Sequence, residues 1–225
     1  MTDRSQRLIV FWLGFAAGAA LVVLSPLWPT RERSISRRMY EDYVEPSVTV
    51  MSRERIREVK SRYGSIVRNH AQNFNVDPDL VMAVLLAESA GKPRAKSPAG
   101  ARGLMQLMPA TARELAAELG MSGLNLYDPD TNIELGTYYL AKMMAPSYRL
   151  DFGDLGDFGG LSGGGFDYQL ELVLAAYNAG PGNVRKWIRG RSASGPAAVV
   201  QKAGVSETRK YVARVKKYME ILKAM

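Results

Sequence analysis

The sequence predicts an all-α domain behind one N-terminal transmembrane helix, and three observations carry that expectation. Apolar residues recur at helical spacing in segment after segment, and nothing alternates with period two for long enough to make a strand. Proline and glycine punctuate these segments where helices start and stop. The run from Leu8 to Trp28 is uncharged, apolar and long enough to span a bilayer.

Taken in order, residues 1–29 read as the membrane anchor, with Trp12 and Trp28 placed toward the interfaces. The rival reading is a cleaved signal peptide with Gly18-Ala19-Ala20 as its small-residue site. The apolar run continues well past that site, which favours an uncleaved anchor. Residues 30–51 mix Arg, Ser, Glu and Pro and read as a juxtamembrane linker. A folded domain is expected over 52–225. Its first helix runs from Ser52 to Asn73, with Ile56, Val59, Tyr63, Ile66 and Val67 on one face. His70 falls in the same register and reads as a packed helix residue. Asp77-Pro78 opens the second helix, and Gly91 and Pro93 stop it. An irregular loop follows, then helices from about Pro109 to Leu119 and from Pro129 to about Met144. Gly136 in the latter is expected to permit close packing. Residues 151–167 form a glycine-rich, purely acidic insertion that matches neither an EF-hand nor a calcium-binding repeat. Tyr168 to Ala179 reads as a buried helix, Asn183 to Arg189 and Ala197 to Ala203 as short ones. Ser206 is placed to cap a last helix with Tyr211, Val215, Tyr218 and Leu222 along one stripe.

Composition excludes several classes of function. There is no cysteine, so disulfides, thiolate metal sites and a lipid-modified N-terminal cysteine are ruled out. One histidine cannot build a multi-histidine zinc site, and no metal is expected. The net charge is +8, and residues 185–223 hold 11 Lys/Arg against 2 Glu. Such an excess suits anionic envelope polymers or lipid headgroups. No nucleic-acid-binding signature accompanies it, so nucleic acid is not expected as a partner.

The chemistry centres on Val81 to Met108. Leu80, Val84 and Glu88 share a helix face with Val81 and Leu85 beside them, so a carboxyl projects from an apolar stripe in the last helical turn. The negative end of the helix dipole and apolar neighbours both disfavour its ionised form. A carboxyl so placed tends to stay protonated near neutrality, which a general acid requires.

Glu88-Ser89, then Ser97-Pro98-Ala99-Gly100-Ala101, Gly103-Leu104-Met105-Gln106 and Ala176-Tyr177-Asn178 follow one another along the chain. In these blocks the sequence resembles the catalytic domain of the Slt-type lytic transglycosylases, relatives of goose-type lysozyme that cleave bacterial peptidoglycan glycan strands. The resemblance covers roughly residues 60–222 and implies a lysozyme-like fold. It implies Glu88 as acid and base, Ser97 near the acetamido or peptide-bearing sugar, and Gln106 and Met108 lining the cleft. It also implies that Tyr177 faces the cleft, that Asn178 fixes the local architecture, and that Glu207 and Tyr211 belong to a late block. Glu207 there binds sugar or holds structure, and Tyr211 is placed to hydrogen-bond Glu88. Gly100 and Gly103 are expected to let the backbone pass tightly under the sugar. The family uses no cofactor, and its substrate lies outside the cytoplasmic membrane. The implied location is therefore the bacterial inner membrane, single-pass, with the domain in the periplasm and with envelope proteins as further partners. The flanking charges oppose that orientation, since two Arg precede the span and four closely follow it. Two alternatives stay open: a muramidase of the same fold that uses water, and a non-catalytic envelope scaffold.

Overall fold

The computed structural model describes residues 48–145, 166–189 and 206–225. The anchor 8–28, most of the linker, the core of the glycine-rich insertion and the helix expected over 197–203 lie outside the described residues. No helix among the described residues is long and apolar enough to cross a membrane.

Seven helices are described: α1 (Arg53–Asn73), α2 (Pro78–Ser89), α3 (Pro109–Glu118), α4 (Pro129–Met144), α5 (Phe166–Ala179), α6 (Pro181–Arg189) and α7 (Ser206–Lys223). Their starts follow local chemistry. The Ser52 hydroxyl accepts the Arg55 N–H at 3.3 Å, and the Asp77 carboxylate accepts that of Asp79 at 2.8 Å. Asp128 accepts both the N–H and the hydroxyl of Thr131 at 2.9 Å. Proline occupies the first turn of α2, α3 and α4, where its missing N–H costs nothing. Before α1, Val50 and Met51 already pack against the core, and the Met51 N–H donates to the Tyr218 hydroxyl at 3.2 Å.

The axis of the domain is α2. It packs against α1 on one side and most extensively against α7 on another. Every residue from Leu80 to Leu86 is buried, so the apolar stripe read from the sequence is corrected to a helix buried all round. Burial of each large side chain there contributes about 1.5–3 kcal/mol. Further seams join α1 to α4, α4 to α5, α5 to α7 and α3 to α4. A smaller apolar cluster of Leu107, Ala112, Leu115, Ala116, Leu126 and Leu135 sits under α3, and Tyr139 and Tyr177 pack against both clusters. Two contacts clasp α5 to α7: Lys216 Nζ to Glu171 Oε1 at 2.9 Å, both largely buried, and the Thr208 hydroxyl to Asn178 Oδ1 at 3.0 Å.

The helix α2 ends at Ser89, and the left-handed turn that stops it runs through Ala90 and Gly91 (φ 75°). Ala90 takes a left-handed conformation, φ 54°, and its N–H bonds back to Leu86 O. The loop that follows is more ordered than the irregular connection expected from sequence. Arg102 and Leu107 exchange both backbone hydrogen bonds at 2.9 and 3.0 Å, and isolated antiparallel bridges join Arg102 to Lys96 and to Leu107.

Candidate active site

Glu88 stands in the last turn of α2, partly buried, where α7 packs against that helix and Tyr177 of α5 lies close enough to feel its charge. Its carboxyl is pushed up from an ordinary 4.5 to about 7, first by desolvation. Tyr211 and the Arg214 guanidinium, both on α7, pull it partly back. The Tyr211 contact is a loose one, because this buried hydroxyl meets no partner at full hydrogen-bond geometry. Burial, then the Glu88 charge, holds both the Tyr177 and Tyr211 hydroxyls well above the usual phenol range. Both phenols therefore stay protonated as donors wherever Glu88 ionises. The charged groups acting on Glu88 include no second carboxylate among the described residues.

Tyr177 lies near the end of α5, its ring 5.4 Å from that of Tyr139, and donates to Met105 O at 2.9 Å. Through that bond it ties the 95–107 loop to the helices around Glu88. Ser97 organises the outer part of this loop. Its N–H donates to Ala101 O and its hydroxyl accepts the Ala101 N–H, each at 3.0 Å. Gln106, at φ 48°, turns its amide nitrogen inward to Gly103 O at 2.9 Å and Ala95 O at 3.2 Å, which commits both of its donors to the loop. Met108 caps the start of α3 and is 43% exposed.

Asn178 and Glu207 form a second group at the α5–α7 junction. Asn178 is exposed, with its Oδ1 held by Thr208, and Glu207 is exposed in the first turn of α7, four residues before Tyr211. The structure thus gathers Tyr177 and Tyr211 at Glu88 and places Ser97 and Gln106 in the loop that Tyr177 grips. Asn178 and Glu207 lie at the helix junction, and no contact of theirs reaches Glu88.

Three residues escaped the sequence reading. Asn132 of α4 is fully buried, accepts the Met105 N–H at 2.7 Å, and donates to Leu126 O at 2.9 Å and Arg102 O at 3.1 Å. A side chain on Gly103, at φ 79°, would collide with that amide and with Leu126 O. Gly136, one turn after Asn132, lets Met105 lie against α4, since a Cβ there would come within 2.8 Å of Met105 Cβ. The close approach is thus helix to loop. Tyr139 and Arg214 complete the list. Nothing in the residue order marks Asn132 out, because Thr131 and Thr137 are uncharged polar residues of the same helix.

Comparison with known proteins gives this geometry a family. The model of the transglycosylase SLT domain matches residues 65–200. The soluble lytic murein transglycosylase of Escherichia coli K12 is 36% identical over 162 residues, covering 69% of this chain and 22% of the relative. Membrane-bound lytic murein transglycosylase C of Actinobacillus pleuropneumoniae (serotype 5b) is 42% identical over 90 residues, covering 37% of this chain and 25% of the relative. Among solved structures, an inactive mutant of lytic transglycosylase Slt from Pseudomonas aeruginosa superposes with a TM-score of 0.57 at 30% identity, covering 72% of this chain and 24% of that one. The 70 kDa soluble lytic transglycosylase of Escherichia coli gives 0.56 at 33%, covering 74% and 25%. The chain spans about a quarter of the length of each of these relatives. On the family model and the E. coli relative together, this chain belongs to the transglycosylase SLT domain family.

Proposed function

We propose that this protein is a membrane-anchored lytic transglycosylase that cleaves the β-1,4 bond between N-acetylmuramic acid and N-acetylglucosamine in peptidoglycan. The observation that carries the reading is one carboxyl, Glu88, desolvated to a pKa of about 7 with two buried tyrosine hydroxyls near enough to feel its charge. Near neutrality such a group is divided between its two forms, so it can give a proton and later take one. Glu88 first protonates the leaving glycosidic oxygen. As carboxylate it then accepts the proton of the sugar's own 6-hydroxyl while that oxygen closes on the anomeric carbon. The products are a 1,6-anhydromuramoyl end and a free 4-hydroxyl, with no water consumed. An intramolecular hydroxyl has a high effective concentration, so a second carboxylate to position water is unnecessary.

Ser97, Gln106 and Met108 form one wall of the substrate groove in this reading. The Gln106 amide oxygen, left over once its nitrogen is committed to the loop, accepts from a sugar hydroxyl or amide. Met108 offers an exposed apolar surface to a pyranose face. Asn178 and Glu207 hold or line the far end, and Tyr211 steadies Glu88. Residues 8–28 anchor the chain in the inner membrane with the domain in the periplasm, a reading in keeping with relatives named as membrane-bound.

The test is digestion of purified sacculi by the full-length chain, followed by mass spectrometry of the released muropeptides. Anhydro ends, lighter by one water than hydrolysis products and absent with Glu88→Gln, are expected. Reducing ends would make the protein a muramidase. No release by wild type would favour a scaffold.

A further inference from the structure

A second cluster of polar side chains lies on the seam between α1 and α4. Asp130 and Glu134 stand one turn apart at the start of α4, and His70 of α1 reaches toward them. One ligand-competent atom of each lies within 4.8 Å of the other two. The His70 side chain is only 6% exposed, and its Nε2 meets Asp130 Oδ1 at 3.1 Å. Its Nδ1 is buried and meets no partner. Glu134 is partly buried, and among the described residues neither carboxylate pairs with a lysine or arginine. A hydrogen bond from the imidazole accounts for Asp130. Glu134 lies beside it because the two residues are four apart on α4, so two carboxylates and the ring share one face of the seam.

We propose that His70, Asp130 and Glu134 bind a divalent transition-metal cation of the Zn²⁺ class. One imidazole nitrogen and two carboxylate oxygens make a three-ligand set that such ions accept, with water completing the shell. Calcium and magnesium prefer oxygen throughout and fit it less well. Two ligands on one tetrahedral zinc lie about 3.3 Å apart, given bonds of roughly 2.0–2.1 Å; the His70–Asp130 pair is at 3.1 Å, and Glu134, within 4.8 Å of both, closes the set by a rotamer adjustment. Metal on Nε2 puts the ring proton on Nδ1, where no protein acceptor waits. An incomplete outer shell of that kind weakens affinity by about 10–100-fold. Bound there, the cation staples α1 to the first two turns of α4, its two carboxylate ligands flanking Asn132, whose amide carries the 102–105 loop. Its role is to stiffen the scaffold, and it takes no part in the reaction at Glu88.

The experiment is thermal unfolding of the purified full-length chain in detergent with Zn²⁺ titrated to saturation and with Mg²⁺ or a chelator in parallel. At a hundredfold excess over Kd, Zn²⁺ should raise Tm by about 5–10 °C, with Mg²⁺ ineffective. The Glu134→Gln variant should keep its metal-free Tm near that of wild type and lose the zinc-dependent rise, as should Asp130→Asn. Absence of a rise in wild type, or an undiminished rise in both variants, would overturn the site and leave a plain His70–Asp130 hydrogen bond. Because Tm is read, the answer does not depend on whether the chain cleaves glycan.

Discussion

Replacing Glu88 by glutamine should abolish cleavage and at the same time stabilise the fold, by an amount that grows with pH. The unfolded chain releases this proton near 4.5 and the folded one near 7, so across that window the folded state holds more of it. Stability therefore falls as pH rises through the window, and the penalty is complete above the folded value. The rise from 4.5 to about 7 corresponds to roughly 3 kcal/mol against the charge. Glu88 keeps some contact with solvent, which discounts this to about 1–3 kcal/mol. Glutamine cannot ionise and escapes the penalty. Thermal melts of both proteins between pH 4 and 8 should diverge with rising pH, the variant ending about 2–12 °C higher. The pH dependence of the gap is the quantity to read, because the amide adds an offset of its own that does not titrate. A gap that stays flat with pH would refute the claim that Glu88 is desolvated in the folded protein, whatever happened to activity.

Two further substitutions probe its surroundings. Tyr211→Phe removes a hydroxyl that lowers the Glu88 pKa, so the alkaline limb of the pH–rate profile should move upward while the rate falls; an unmoved limb would separate Tyr211 from the acid. Asn132→Ala deletes three hydrogen bonds and orphans the buried Met105 N–H, and should cost about 2–4 kcal/mol in urea denaturation with a marked loss of turnover. Full activity in that variant would show that the loop holds itself.

Much of this was legible from residue order alone, for reasons that are local. Asp77-Pro78 and Asp128-Pro129 announce helix starts because capping depends on neighbours two or three residues away. Glu88 stood out because helical spacing ties it to Val84 and Leu85, and the glycines of the loop because backbone handedness is a property of one residue. What stayed hidden depends on distant partners. Asn132 looks like any polar helix residue until Arg102, Met105 and Leu126 are seen around it. Burial of α2 on all sides requires α7, which begins more than a hundred residues later. The inward turn of Gln106 belongs to the same class, since a cleft-facing and a loop-facing amide have the same sequence.

These distant partners converge on one residue, at the two peptide units that flank its Cα. The N–H of Met105 is taken by Asn132 from α4, and its carbonyl by Tyr177 from α5. A loop pinned at both ends of a single residue has little freedom left to drift, and drift of about 1 Å in groups that position a reacting sugar can cost a hundredfold in rate. Release of one pin should let the other relax, so the two grips ought not to act independently. In a double-mutant cycle of Asn132→Ala with Tyr177→Phe, the combined loss of stability should differ from the sum of the single losses by about 0.5–3 kcal/mol. Strict additivity would mean that the two helices hold the loop separately, and that Met105 is a bystander between them.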